Sequence, residues 1–239
     1  MVVSAVCAVM VGQMAWHDPR YLLPFAAITV MTLLPGILAR RRMKELLMSG
    51  DVKRVLGTWE GSIDRVTYPE TMAPLMAATA YAAYGWIEPA RRALDGAAKG
   101  PAWEAALEQR LFVEAMLDTF EGEQGLSIQK AEALERLPMP RSGPFARVRI
   151  ARLRRGVAAM ARAFSHTARR ADEGVMRAAA SASPLIHWAM RYALAIVAVD
   201  RGDKDEAHKL LFGAPEWPRQ SAFKSFHDEL TAQLEPGRA

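Results

Sequence analysis

From Tyr21 to Ala39 the chain runs nineteen residues without a charge, and four cations, Arg40, Arg41, Arg42 and Lys44, follow at once. As a helix that run spans about 28 Å, close to the roughly 30 Å hydrocarbon core of a bilayer. Its leucines, isoleucines, Phe25 and Val30 each favour insertion by a few tenths of a kcal/mol, roughly 3 to 5 together, before the two prolines subtract something. Pro24 sits in a first turn, where its missing N–H costs little, and Pro35-Gly36 predicts a kink near the far end. A second uncharged run, Val2 to Trp16, precedes it, and His17-Asp18-Pro19-Arg20 leaves room only for a tight antiparallel turn. The spacing predicts a transmembrane helical hairpin over residues 1–39. The cations at its end place both the body of the chain and the N-terminus on the cytoplasmic side. Two rivals compete: a secretory signal, which wants a basic leader and a small-x-small cleavage site that residues 1–16 lack, and a hairpin buried in a soluble core.

Residues 40–239 contain no run of alternating β-branched residues and many apolar positions three and four apart, so the expected class is all-α. Two stretches look alike, AATAYAAYGWIEPARRALDGA (residues 77–97) and LAIVAVDRGDKDEAHKLLFGA (residues 194–214). Each carries a small-residue helix ending at a glycine, Gly85 or Gly202. Five residues later stands an alanine, Ala90 or Ala207, followed at +4 by Leu94 or Leu211 and at +7 by Ala97 or Ala214. Glycine permits the left-handed turn, alanine lets a second helix close on the first, and leucine fills the space toward the next pair.

These marks resemble the tetratricopeptide repeat, although the leading tryptophan and the Leu-Gly of its first helix are absent. The resemblance implies an α-solenoid of helix pairs over 40–239, with a concave groove for a protein or peptide. Groove positions implied on first helices are Met72, Leu75, Thr79 and Ala82 in one pair and Tyr192, Ile196 and Val199 in another. A weaker copy puts Gly50, Val55 and Trp59 at similar offsets. Between the two clear copies the pattern predicts helices over 103–120, 128–137 with Ser127 as N-cap, 145–166 and 172–181. A last helix, 220–234, reads as the polar-faced cap of the array.

No phosphate loop, nucleophile elbow, zinc-protease motif or dinucleotide fingerprint occurs. The lone Cys7 and five unpaired-spacing histidines lead us to expect no metal, no cofactor and no enzyme. The most unusual segment is residues 138–171, with nine arginines and no acid. Since the chain's net charge is +5, the remainder sums to −4. On a helix, Ile150, Leu153, Val157, Met160 and Phe164 form the inward stripe, while Arg147, Arg154, Arg155 and Arg162 are expected to point away from it. Three readings of that face stand open: a solvated surface paired with acids elsewhere, a dock for an acidic protein, or contact with an anionic inner leaflet. No aromatic interleaving supports nucleic acid. The expectation is a membrane-anchored scaffold at the cytoplasmic membrane face, with Arg147, Arg154, Arg155, Arg162, Tyr192 and Ile196 as partner-binding residues. The alternative is an accessory structural subunit of an integral membrane complex.

Overall fold

The computed structural model describes residues 22–63 and 66–234. Among them the protein is all-helical, with twelve α-helices and no strand. The chain divides into two compact units, residues 1–46 and 47–239.

The described part of the first unit is helical. Helix α1, Leu22–Met48, contains Pro35 and runs without a break past the cations at 40–44. Arginine and lysine are good helix formers, so charge alone does not end a helix. Its apolar residues lie on all sides, and Val30, Met31, Leu33, Leu34, Ile37 and Leu38 are all exposed. Among the described residues no helix is long and apolar enough to cross a membrane. The proposed first arm, Val2–Trp16, and the turn His17–Arg20 lie outside the described residues, as do the side chains of 22–25 and Ile28.

The second unit is built from helix hairpins. Helix α2 is Val52–Ile63, and α3 (Pro69–Ala83) pairs with α4 (Ile87–Asp95). After the short α5 (Pro101–Ala105), α6 (Leu107–Glu121) pairs with α7 (Gln124–Arg136) and α8 (Pro144–Phe164) with α9 (Asp172–Ala182). A 3-10 turn, Pro184–Ile186, leads into α10 (His187–Asp200), which pairs with α11 (Lys204–Leu211), and α12 is Ala222–Leu234.

All four hairpins turn by one device. One or two residues past the end of each first helix stands a left-handed residue: Gly85 (φ 70°), Gly122 (φ 83°), His166 (φ 54°) and Gly202 (φ 76°). The next amide then reaches back five residues to a helix carbonyl, Trp86 to Tyr81, Glu123 to Asp118, Thr167 to Arg162 and Asp203 to Ala198, each at 2.9 Å. These are Schellman closures, which satisfy carbonyls that a helix end would otherwise strand. Glycine reaches this conformation without strain, and only His166 breaks the pattern.

The first helices pack on one another in order, α3 on α6, α6 on α8 and α8 on α10. Small residues make the approach close: Ala78 and Ala82 on α3, Ala115 on α6, Ala159 and Ala163 on α8, and Ala189 and Ala193 on α10 are fully buried. Leu75, Met116, Met160, Ile186 and Met190 fill the centre. The row then closes, because the 3-10 turn before α10 packs back on α3. At the far end Ser221 Oγ donates to the Tyr84 carbonyl (2.7 Å) and the Ala222 amide to the Gly85 carbonyl (2.8 Å). The start of this unit is pinned to the same structure, with the Tyr84 hydroxyl donating to Leu47 O (2.7 Å) and Trp188 Nε1 to Met48 O (2.8 Å).

Several element expectations shift. The helix expected over 103–120 is broken at Ala106 into α5 and α6. Ser127, expected as an N-cap, lies inside α7, buried, with Oγ donating to Gln124 O at 3.0 Å. Helix α12 is not a free end cap. It lies across the C-terminal ends of the first helices, with Phe226 5.0 Å from Phe164 and Phe223 5.2 Å from Phe120 and 5.1 Å from Tyr192 between ring centres.

Candidate functional site

With α12 closing one end of the ring of first helices, the other end is left open. A cavity of about 690 Å³ opens there. Met72 and Thr79 of α3, Gln109 and Phe112 of α6, Leu153 and Arg154 of α8, and Leu185 before α10 line it. The wall is mainly apolar. Its polar groups are largely satisfied by one another: Gln109 Nε2 donates to Thr79 Oγ1 (2.9 Å), and Thr79 Oγ1 donates to Leu75 O (2.7 Å).

Arg154 is the one buried cation in that wall among the described residues, with only 2% of its surface exposed. Its guanidinium is fully engaged. Nε and Nη2 hold the Glu108 carboxylate at 3.1 and 3.0 Å, while Nη1 donates to Leu137 O (2.6 Å) and Nη2 to Pro138 O (3.3 Å). The fork therefore ties the end of α7 to α6 and α8 and presents the cavity with a neutral pair, not a free charge.

The six expected partner-binding residues separate into three groups. Arg147 and Arg155 are exposed as expected, Arg155 lying 4.0 Å from Glu135. Arg154 and Arg162 do not share that face. Arg162 grips Asp172 at the start of α9 through Nε (2.9 Å) and Nη2 (2.6 Å), bracing the α8–α9 hairpin. Burial pushes the Asp172 carboxyl up, but the Arg162 guanidinium and the Arg169 amide outweigh it and hold it below the ordinary carboxylate value. Tyr192 is fully buried, its hydroxyl taking a hydrogen bond from Trp217 Nε1 (2.7 Å) and sharing one with His227 Nδ1 (3.1 Å). Burial raises its phenol well above the usual range. Ile196 is half-buried and faces Phe226 and Leu230 of α12.

Of the implied groove positions, Leu75, Ala82 and Tyr192 are core, Ile196 and Val199 line a small cavity of about 150 Å³ shared with α12, and Met72 and Thr79 line the open mouth. The cavity residues on α6 and at 183–185 were not singled out in the sequence. No local signal marks them, because which end of the first helices stays open depends on where α12 lands.

One polar pair deserves a chemical reading. His166 Nδ1 lies 2.9 Å from Asp200, both at hairpin turns and both solvent-accessible. A carboxylate orienting an imidazole is half of a hydrolytic relay, yet no hydroxyl or thiol among the described residues bonds to the other ring nitrogen. Here the pair ties the α8–α9 turn to the end of α10. The described residues contain no group of three or more His, Cys, Asp or Glu side chains arranged to hold a metal.

Comparison of the chain with protein families, characterised proteins and solved structures finds no match.

Proposed function

We propose that the protein is a membrane-tethered adaptor of tetratricopeptide-like helix pairs, which holds an apolar or amphipathic segment of a protein partner in the open mouth beside Arg154. The observation that carries this reading is the asymmetry of the ring. At one end α12, an amphipathic helix, seats Phe223, Phe226 and Leu230 against the first helices. At the other end a mainly apolar wall stands open around about 690 Å³, within the range of ligand pockets, and amphipathic helices are commonly held by their apolar face in such a groove. The tether is read from the charge-free run Tyr21–Ala39 and from α1, whose Val30, Met31, Leu33, Leu34, Ile37 and Leu38 are exposed. A helix apolar all round suits lipid or the interior of a protein, and the cations at 40–44 favour the cytoplasmic side for residues 47–239. Tethering raises the local concentration of whatever the mouth holds.

A panel of amphipathic helical peptides offered to the full chain in detergent micelles tests this. Peptides selected for binding should lose about tenfold or more in affinity with Leu153→Glu or Met72→Glu, since placing a charge against an apolar anchor costs over about 1.4 kcal/mol. They should be indifferent to Phe145→Ser, outside the mouth. Selected peptides insensitive to both mouth substitutions would refute the assignment.

The exposed apolar flank of α1 also supports a second reading, an accessory subunit packed against integral membrane helices. A stoichiometric membrane partner that is lost when residues 1–39 are deleted, with no peptide held by the mouth, is the result that would favour it.

A further inference from the structure

The first turn and a half of α8 stands clear of the helices around it: residues 144–149 are exposed on every side of the helix. Phe145 is 92% exposed, and Val148 is more than half exposed. At a helical period, Phe145, Val148, Arg149, Arg152 and Arg155 fall on one stripe, opposite the inward Ile150, Leu153 and Val157. Arg141, Arg147, Arg149 and Arg152 are exposed and have no carboxylate of the described residues within ion-pair distance, unlike Arg154 and Arg162 deeper in the same helix. The helix therefore changes character along its length. Its second half spends arginine on internal carboxylates, and its first half presents unpaired guanidiniums around an exposed phenyl ring.

We propose that this protruding end of α8 docks on an anionic lipid surface, with Phe145 and Val148 entering the interface and Arg147, Arg149 and Arg152 taking headgroup phosphates. A helix end exposed all round fits a fluid surface, which can surround it, better than a rigid groove, which covers one face. Charge complementarity selects the anionic leaflet. The inference rests on the membrane-tether reading for proximity alone; the contact chemistry stands on α8.

The test uses the full chain carrying Cys7→Ala and Val148→Cys, with an environment-sensitive dye on position 148. It is mixed with vesicles of phosphatidylcholine alone or with phosphatidylglycerol added, some bearing brominated acyl chains. The expected result is a blue shift and bromine quenching in anionic vesicles only, reversed by salt. Arg147→Gln, Arg149→Gln and Arg152→Gln together should lower the docked-to-free ratio about a hundredfold, from about 1 kcal/mol for each arginine. These side chains are on the surface, so an unchanged melting curve checks that the variant folds. Equal quenching in both lipids, or none in either, overturns the proposal. So does a dye response to polyglutamate without one to anionic vesicles, which would make the face a dock for acidic protein. If the chain stays in the supernatant with neutral vesicles, the tether fails. A shift with anionic vesicles that the triple substitution abolishes would still establish the dock.

Discussion

At the residue scale, the same side chain has opposite fates a few positions apart. Arg155 is a solvated cation, whereas Arg154 is a buried fork holding two carbonyls and Glu108. Helical geometry separates neighbours by about 100°, so a run of arginines necessarily distributes itself around the axis. Position in the run therefore says little about role. The Arg162–Asp172 pair, with its carboxylate buried and its guanidinium half-buried, gives a pH-dependent stability with a definite sign. Asp172 has a folded value below its unfolded one, so its contribution is fully present above the ordinary carboxylate value, about 4, and is lost as pH falls through the depressed folded value. Denaturant unfolding followed from neutral to acid pH should show this loss, and Arg162→Met should cost about 3 kcal/mol at neutral pH by stranding the carboxylate. A variant as stable as the parent at neutral pH would show the pair to be incidental.

At the scale of elements, the helices are held apart or together by the smallest residues. Gly156 on α8 faces Ala179 on α9, and a methyl group added at position 156 would collide with the Ala179 Cβ. Gly156→Ala raises helix propensity by about 1 kcal/mol, but overpacking of this kind costs about 1–3 kcal/mol. We expect a net loss of stability in thermal melts, recovered in part by pairing the change with Ala179→Gly. An increase in melting temperature for the single substitution would mean that α9 can shift freely. Arg191 shows another element-level device. Its guanidinium stacks over the Trp188 ring and donates to the carbonyls of Lys209, Leu210 and Phe212, so α10 caps the C-terminus of α11. That role was invisible in sequence, because Arg191 lies 18 to 21 positions from the carbonyls it binds and matches no capping motif.

At the scale of the whole helical unit, closure of the ring rests on a few contacts remote in sequence. Ser221 stands out, since its hydroxyl both donates to the Tyr84 carbonyl, 137 residues away, and accepts from the Phe223 amide at 3.2 Å. Ser221→Ala removes both bonds from a buried site and should cost about 1–3 kcal/mol. Hydrogen exchange should then show faster opening of α12 and of the end of α3, with α8 and α9 less affected. Uniform loosening of every helix would argue that Ser221 contributes only to global stability and not to closure.

The amino-acid sequence determined the helical class, most helix spans and the turn glycines by itself, because apolar period and left-handed backbone preference are local properties of the chain. Gly85 and Gly202, with Ala90, Leu94, Ala207 and Leu211 behind them, were readable for that reason, and all four of these side chains are buried. What only the tertiary structure decided was which inward faces find partners. The row of first helices closes on itself, and α12 turns onto one end, burying Tyr192 and covering Ile196 while leaving Met72 and Thr79 open. Those outcomes depend on contacts between residues far apart along the chain, and a helical stripe looks the same in sequence whether a neighbour, a partner or nothing covers it.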